Sequence, residues 1–223
     1  MHTRRKIIKP KSLTALALEK IRKGITTGLY PLGSPLYEKM LADDFGISKT
    51  PVREALMQLL REGLVNVVPH SGTFVFELSD GEVAGLCEIR LILETNALRL
   101  AMRRQPANLM AAMECVVEGM GSALARNSLT EYRDLDAQFH QAFFVYCGNE
   151  YLAKSYAMIE AKLTTLRIAL LNPLPGEVPT SMEEHSRIAG ALRQKKMAVA
   201  IEVLTGHIKR SEDLMQKLNL KRP

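Results

Sequence analysis

Cysteine is scarce in this sequence, which has only Cys87, Cys115 and Cys147 among its 223 residues. Their number is odd, their spacing is wide, and no Cys-x-x-Cys pair occurs. We therefore expect neither a disulfide framework nor a zinc finger, and the pattern suits a reducing cytoplasm.

Long apolar runs are also missing. No stretch approaches the roughly 18 apolar residues that a membrane-spanning helix needs, so we expect no membrane partner. Residues 1–11, MHTRRKIIKPK, are charged but lack the hydrophobic region of a signal peptide. We interpret them as a basic arm that can contact phosphates.

Positive charge is unevenly distributed along the chain. Residues 1–76 contain 12 Lys and Arg against 6 Asp and Glu, whereas residues 77–223 contain 18 of each. The whole formal charge of +6 therefore lies in the first third. This favours a polyanion-binding domain joined to a neutral domain with another task, although a solvated basic surface without a partner gives the same pattern.

Residues 41–62, LADDFGISKTPVREALMQLLRE, predict a short helix, a turn at Gly46 and a longer helix. Ser48 is a suitable N-cap, and Pro51 is tolerated only in the first helical turn. Helix-turn-helix proteins meet base edges and phosphates at the start of their second helix. We therefore interpret this stretch as a DNA-recognition unit.

The flanking segments complete a winged domain. Residues 12–28 predict a helix closed by glycine, and residues 30–35 a turn-rich loop. After the recognition helix, β-prone residues 64–68 and 73–76 are joined by Pro-His-Ser-Gly at 69–72. Two short strands at this point make a wing whose tip reaches the minor groove or phosphates.

Strand signals disappear after Ser79. Ser79 with Glu82, and Ser128 with Glu131, fit the capping-box pattern. We predict helices near residues 80–104, 107–126, 129–147, 150–171, 179–194 and 196–218. The expected fold is mostly α, with a winged helix-turn-helix domain at 12–77 and an antiparallel all-α bundle of about six helices at 78–218.

These strings resemble a known family. LADDFGISKTPVREAL followed by HSGTFV resembles the winged-helix domain of GntR-family transcription regulators, over roughly residues 12–76. The second segment resembles the all-helical, metal-binding ligand domain of the FadR-like subfamily. Its matching strings are RLILE from residue 90, DAQFH from 136, GNEYL from 148, EHSRI from 184 and HI from 207.

The resemblance implies a set of DNA-contacting residues in the first domain. On the helices they are Lys39, Ser48, Lys49, Thr50 and Arg53, and at the wing they are His70 and Gly72. Lys49 stands where the family has arginine before Thr-Pro. Lysine lacks the planar fork that reads guanine with two hydrogen bonds, so phosphate contact is favoured at this position.

A second set of residues points to a metal. Asp136 and His140 are four apart and share one helical face, while His185 and His207 lie on two later helices. Three imidazoles and a carboxylate suit a divalent transition metal such as Zn²⁺ or Ni²⁺. From spacing alone, such an Asp/His pair is more often a surface or capping pair. The resemblance implies that all four residues are ligands.

An octahedral metal with four protein ligands keeps positions open for a small carboxylate effector. Arg90 is our candidate for the cation that balances this acid, because its position matches the family's pocket-facing arginine. The alternative is an ion pair with Glu94, four residues on. Arg133, Arg167 and Arg187 are further candidates, and we expect each on a solvated face.

The leading hypothesis is a homodimeric transcription regulator. It would bind a pseudo-palindromic double-stranded DNA operator, act as a repressor and respond to the bound acid. One alternative is a metal-dependent hydrolase, in which Zn²⁺ activates water. The helical segment offers no evident general base or nucleophile beyond the ligands, so we expect no enzyme. A third hypothesis is a direct metal sensor, in which the ion itself is the signal.

Overall fold

The computed structural model describes residues 11–171 and 176–219, with side chains described for 11–169 and 176–217. The chain divides into two compact units, one ending at Glu77 and the other beginning at Leu78. Apart from Lys11, the predicted basic arm lies outside the described residues.

The first unit is a winged helix-turn-helix. Its elements in chain order are α1 (Leu13–Thr26), β1 (Pro35–Leu36), α2 (Glu38–Phe45), α3 (Lys49–Arg61), β2 (Val65–Val68) and β3 (Gly72–Val75). Strands β1 and β2 both pair antiparallel with β3, which lies between them.

A tight turn sets the angle between α2 and α3. Gly46 ends α2 in the left-handed conformation, with φ of 66°, which glycine adopts without steric cost. The next amide, of Ile47, bonds back to the carbonyl of Ala42. Val52 and Leu59 of α3 are fully buried, so the helix packs one face inward and leaves the opposite face exposed.

Two local details of this unit differ from the predictions. Ser48 is the N-cap residue of α3 as predicted, but its side chain makes no capping hydrogen bond. Strand β1 falls at the end of the predicted turn-rich loop. Its two residues are too few for an alternating pattern to be visible in the sequence.

The second unit is a bundle of six helices in the described part of the chain. Each predicted boundary lies within two residues of the observed one, and the mostly α fold class is confirmed. The helices are α4 (Asp80–Arg104), α5 (Pro106–Ala125), α6 (Leu129–Tyr146), α7 (Glu150–Leu171), α8 (Glu177–Arg193) and α9 (Met197–Asn219).

One of the two predicted capping boxes forms. The Ser79 side chain accepts from the backbone of Glu82, whose carboxylate accepts from the Ser79 amide at 2.8 Å. Ser128 makes no side-chain cap. Glu131 pairs instead with Arg126 at 2.8 Å.

The interior of the bundle is not wholly apolar. Aromatic and aliphatic side chains such as Tyr132, Phe139 and Leu98 are fully buried, but charged groups lie among them. The buried polar side chains are Arg90, Glu94, Asp136, His140, Thr165, Arg167, Ser181, His185, His207 and Ser211.

No helix in the described ranges is long and apolar enough to cross a membrane.

Candidate functional site

Three histidines from three helices meet inside the bundle. His140 comes from α6, His185 from α8 and His207 from α9, and each offers a ring nitrogen within 4.8 Å of the others. The Nε2 atoms of His140 and His185 are 3.4 Å apart. All three rings are buried, so they form a preassembled group of nitrogen donors.

Two of the three rings are oriented by carboxylates. Nδ1 of His140 lies 2.7 Å from Glu94 Oε2, and Nδ1 of His207 lies 2.7 Å from Glu184 Oε2. A neutral imidazole that donates through Nδ1 keeps its lone pair on Nε2. Metal-binding histidines are held in this way by carboxylates behind them. Nδ1 of His185 is buried without a hydrogen-bond partner.

Asp136 lies at the edge of the histidine group. Its Oδ1 is 3.6 Å from His185 Nε2, and its Oδ2 is 3.4 Å from Arg167 Nε. Burial alone would raise the pKa of this carboxyl. The positive charge of Arg167 is the main effect that opposes burial, and the pKa of Asp136 is lowered to about 2, so the group is ionised at neutral pH.

Arg90 makes the ion pair with Glu94 that the sequence offered as one alternative, and it also lies against His140. Its Nε donates to Glu94 Oε1 at 2.7 Å, and its Nη2 lies 3.0 Å from His140 Nε2. The arginine is 1% exposed. The ion pair with Glu94 therefore exists, and the same guanidinium also faces the histidine group.

Arg167 is buried, so the prediction of a solvated face was wrong. It lies against Asp136 and places Nη2 3.3 Å from the Tyr156 hydroxyl. The second half of α7 is buried on several faces, with Leu163 and Ile168 also inside. A helix enclosed in this way offers no solvated face at that level. Asp136 and Tyr156 raise the pKa of Arg167 despite its burial.

The electrostatics keep the histidines neutral. Burial, the largest cause, lowers the pKa of His185 to about 3 and that of His140 well below its ordinary value. Burial also lowers the pKa of His207, against the opposing effect of its hydrogen bond to Glu184. Neutral imidazole is the form that binds metals.

A further carboxylate and arginine extend the site towards the surface. Arg210 of α9 forms ion pairs with two glutamates of α8, Glu184 at 2.7 Å and Glu177. Burial opposes ionisation of Glu184, but hydrogen bonds from His207 and Arg210 lower its pKa to about 2. A cavity of about 30 Å³, room for a water molecule or two, adjoins these groups. It is lined by Asp136, Arg167, Glu177, Ser181, His207, Arg210, Ser211 and Leu214.

Sequence reasoning missed the contacts of Glu184 and Arg210, and it did not place Glu94 or Arg167 beside the histidine group. Glu184 directly precedes His185 in the chain, yet it contacts His207 and not its neighbour in sequence. Glu94 was considered only as a partner of Arg90. The spacing of Arg90 and Glu94 was the one signal available for this part of the site.

The residues expected to contact DNA are all exposed in the first unit. Lys49, Thr50 and Arg53 lie in the first turns of α3, directly after Ser48, and Lys39 lies on α2. At the wing, His70 and Gly72 have φ of 63° and 115°. Such backbone conformations make the tight connection between β2 and β3.

Arg53 is exposed but has a defined partner. Its Nε and Nη2 donate to the Glu38 carboxylate at 3.0 and 2.8 Å. The Ser48 hydroxyl makes no capping bond, and it lies beside the first amides of α3, which have no partner within the helix. This end of the helix therefore presents donors and cations outward, as an anion-binding surface does.

Comparison with known families assigns both units. Residues 13–75 match the family model for bacterial regulatory proteins of the gntR family, and residues 85–210 match the FCD domain. The second match alone spans more than half of the chain.

Several curated relatives are transcription regulators. An HTH-type regulator from the TAR-I region of Agrobacterium vitis is 35% identical over 56% of this chain and 75% of its own length. The transcriptional repressor RspR of Escherichia coli is 24% identical over 89% of this chain and 86% of its own. The gluconate operon repressor of Bacillus subtilis is 23% identical over 89% of this chain and 83% of its own length.

Solved structures share the fold. Escherichia coli McbR/YncC superposes with a TM-score of 0.80 at 21% identity, covering 94% of this chain and all of that one. A protein from Rhodococcus described as a GntR transcriptional regulator superposes with a TM-score of 0.81 at 18% identity, covering 95% of this chain and 100% of that one. A metal-free FCD domain superposes with a TM-score of 0.58 at 18% identity, covering 66% of this chain and 99% of that one.

The two domain matches, the winged helix and the regulator relatives agree. They identify a DNA-binding transcription regulator rather than an enzyme. The chain belongs to the GntR family of bacterial regulatory proteins, with an FCD domain as its C-terminal unit.

Proposed function

We propose that this regulator is a repressor whose operator affinity is controlled by a small organic acid bound at a metal centre in the FCD domain. The metal is a divalent transition ion, zinc or nickel. The observation that carries the proposal is the convergence of His140, His185 and His207, buried and uncharged, with the ionised Asp136 beside them.

The donor set fits such an ion. Imidazole nitrogens are ligands of choice for zinc and nickel, and the two Nδ1–carboxylate bonds leave the Nε2 atoms of His140 and His207 as donors. His185 would bind through Nε2, the atom that faces His140 and Asp136. Asp136 would be the fourth ligand.

The charge of the cluster favours an anionic effector. Arg90 and Arg167 are balanced by Glu94 and Asp136, and the histidines are neutral, so these buried groups sum to zero. A divalent cation would add two positive charges to this buried site. An organic acid offsets them, with a buried guanidinium completing its hydrogen bonds. When bound, the ion supplies open coordination positions for a carboxylate.

DNA would be bound by the exposed start of α3 and by the wing. Ser48, Lys49, Thr50 and Arg53 would contact bases and phosphates from α3, with Lys39 on α2 adding a phosphate contact. His70 and Gly72 would make the wing contacts. We further propose a homodimer on a pseudo-palindromic operator, because paired winged domains read two-fold symmetric sites.

Operator binding tests the DNA half of the proposal. We expect the protein to bind the promoter of its own gene or of a neighbouring catabolic operon in a fluorescence anisotropy titration. Arg53→Ala should weaken this binding at least about tenfold. Arg126→Ala is the matched control, an exposed arginine of the other unit that is likewise held by a glutamate. Equal loss in both variants, or no promoter binding at all, would count against the assignment.

A thermal-shift screen of small organic acids tests the sensing half. A true effector raises the melting temperature of metal-loaded protein, because it binds the native state preferentially. We expect no rise after chelation and none in His185→Ala. The same acid should change operator affinity in wild type alone. Operator affinity that follows metal occupancy and ignores every acid would identify a direct metal sensor instead.

A further inference from the structure

We propose that Arg167, and not Arg90, binds the carboxylate of the effector, and that the effector is a short hydroxy acid with a single carboxylate. This inference rests on the acid sensing proposed above and narrows it to one residue and one class of acid. The observation that carries it is a buried guanidinium beside a cavity, with two nitrogens that make no hydrogen bond to any described residue.

Arg167 is fixed on one side of its guanidinium. It is 8% exposed, and its Nη2 lies 3.3 Å from the Tyr156 hydroxyl. Nε and Nη1 are buried and make no hydrogen bond within the described part of the chain, although Nε lies 3.4 Å from Asp136 Oδ2. A buried N–H that stays unpaired costs free energy, so a ligand or a water usually satisfies it. Arg167 therefore has the spare donors that a carboxylate needs.

Arg90 is engaged elsewhere. Its Nε donates to Glu94 at 2.7 Å, and its Nη2 lies 3.0 and 3.4 Å from the two ring nitrogens of His140, against the face of the ring. The described residues that line the cavity include Arg167 but not Arg90. Arg90 is thus placed to hold the histidine group, and Arg167 to meet a molecule in the cavity.

Much of the remaining polar wall of the cavity consists of acceptors. Ser211 donates its hydroxyl proton to the carbonyl of His207 at 2.9 Å, so only its lone pairs are left for a ligand. The carboxylates of Asp136 and Glu177 also line the wall. A hydroxyl group on the effector can donate to such oxygens, which favours a hydroxy acid.

The second cation of the described wall does not change this preference. Arg210 donates from Nε and Nη2 to Glu184 and from Nη1 to Glu177. A second carboxylate on the effector would therefore face the oxygens of Asp136 and Glu177, and like charges repel. The cavity of about 30 Å³ also favours a compact acid over a sugar acid or an aromatic acid.

The class of acid is tested by isothermal titration calorimetry of the full-length protein saturated with Zn²⁺. The probes are lactate, propionate, which lacks the hydroxyl, and malonate, which has a second carboxylate. We expect lactate to bind at least about tenfold more tightly than either of the others. Tighter binding of malonate, or equal binding of lactate and propionate, would overturn the assigned class.

Arg167→Lys tests the residue, because lysine keeps a positive charge beside Asp136 but lacks the planar fork. We expect its lactate affinity to fall at least about tenfold at saturating Zn²⁺, the scale of a lost charge-assisted hydrogen bond. Arg104→Lys is the matched control, since Arg104 donates to the carbonyls of Cys147 and Gly148. It should bind lactate as wild type does. Unchanged affinity in Arg167→Lys, or an equal loss in both variants, would overturn the inference.

A measurement on the wild type covers the case in which Arg167→Lys does not fold. In ¹⁵N-labelled, Zn²⁺-loaded protein, lactate should shift the guanidinium signals of Arg167 more than those of Arg90. The reverse order would overturn the inference. Ser211→Ala should weaken lactate binding several-fold and leave the weaker binding of propionate unchanged, since only lactate has the hydroxyl. Equal effects on both acids would contradict hydroxyl recognition by Ser211.

Failure of this inference and failure of the proposed function give different results. If the proposed function fails, metal-loaded wild type responds to no acid in the thermal-shift screen, which overturns both. If only this inference fails, wild type responds to an acid and Arg167→Lys keeps that response, or Arg90→Lys alone loses it.

Discussion

Nδ1 of His207 lies 2.7 Å from Oε2 of Glu184, a residue that precedes it by 23 positions on the neighbouring helix. Arg210, one turn beyond His207, donates to both oxygens of the same carboxylate at 2.9 and 2.7 Å. The Glu184 carboxylate is thus fixed by Arg210, and it in turn orients the ring of His207 through Nδ1. It acts on the proposed metal centre through His207 and would not touch the ion.

Removing this carboxylate should weaken metal binding. We expect Glu184→Ala to lower Zn²⁺ affinity about 10- to 100-fold, the usual cost of losing an oriented partner behind a ligand. Glu184→Gln keeps an oxygen that can accept from Nδ1 and should recover part of the loss. Chelator competition measures both variants. Equal affinity in wild type and Glu184→Ala would refute a positioning role.

Two serines at helix starts should behave oppositely on substitution. Ser79 caps α4 with its side chain, whereas Ser48 makes no capping bond at α3. Ser79→Ala should cost about 1 kcal/mol of unfolding free energy, and Ser48→Ala less than about 0.5 kcal/mol. Urea denaturation measures this difference.

Operator affinity should show the reverse order. Ser48→Ala should weaken operator binding several-fold if the hydroxyl contacts the duplex, while Ser79→Ala leaves it unchanged. Full operator affinity in Ser48→Ala would remove Ser48 from the proposed contacts.

The buried histidines make the metal-free protein sensitive to acid. The pKa of His185 is about 3 in the folded chain against an ordinary 6.5, and those of His140 and His207 are also lowered. Below pH 6.5 the unfolded state binds protons that the native state does not, so stability falls as pH is lowered from 6.5 towards 3. Each such histidine contributes a slope of up to about 1.4 kcal/mol per pH unit.

Urea denaturation between pH 7 and 5, with a chelator present, checks this slope. That window lies above the ordinary pKa values of Asp136 and Glu184, 3.8 and 4.5, whose own losses begin only at lower pH. His185→Gln should flatten the slope by about one proton. A wild-type stability that is constant down to pH 5 would mean that the rings are not held neutral.

The three cysteines should differ in reactivity. Cys115 is exposed, while Cys87 and Cys147 are buried. Burial raises the pKa of Cys87 to about 11, which removes the reactive thiolate at pH 8. We expect one thiol to react quickly with a maleimide in native protein, and none in Cys115→Ser. Rapid labelling of two or three thiols would show that the bundle opens.

The fold followed from the sequence because its signals are local. Helix boundaries are marked by glycine, proline and capping residues within a few positions, and the apolar period of α3 identifies its buried face. The winged helix and the mostly α bundle were therefore predictable. Strand β1 escaped because it has two residues.

The candidate site was only partly predictable because its contacts are not local. His140 meets Glu94 across 46 residues of chain, and no spacing rule reaches that far. Arg167 was misplaced because arginine is usually exposed, whereas its position on an enclosed helix is a property of packing. The roles of the proposed metal and DNA residues remain predictions.

The Arg53–Glu38 pair has a consequence for how a duplex would be recognised. Two nitrogens of Arg53 are already held by the carboxylate, so the side chain would give up little rotational freedom when it docks. A cation aimed before contact favours one alignment of the groove over others. The Arg53–Glu38 pair would then add a preference for one orientation of the duplex to the general attraction between Arg53 and phosphates.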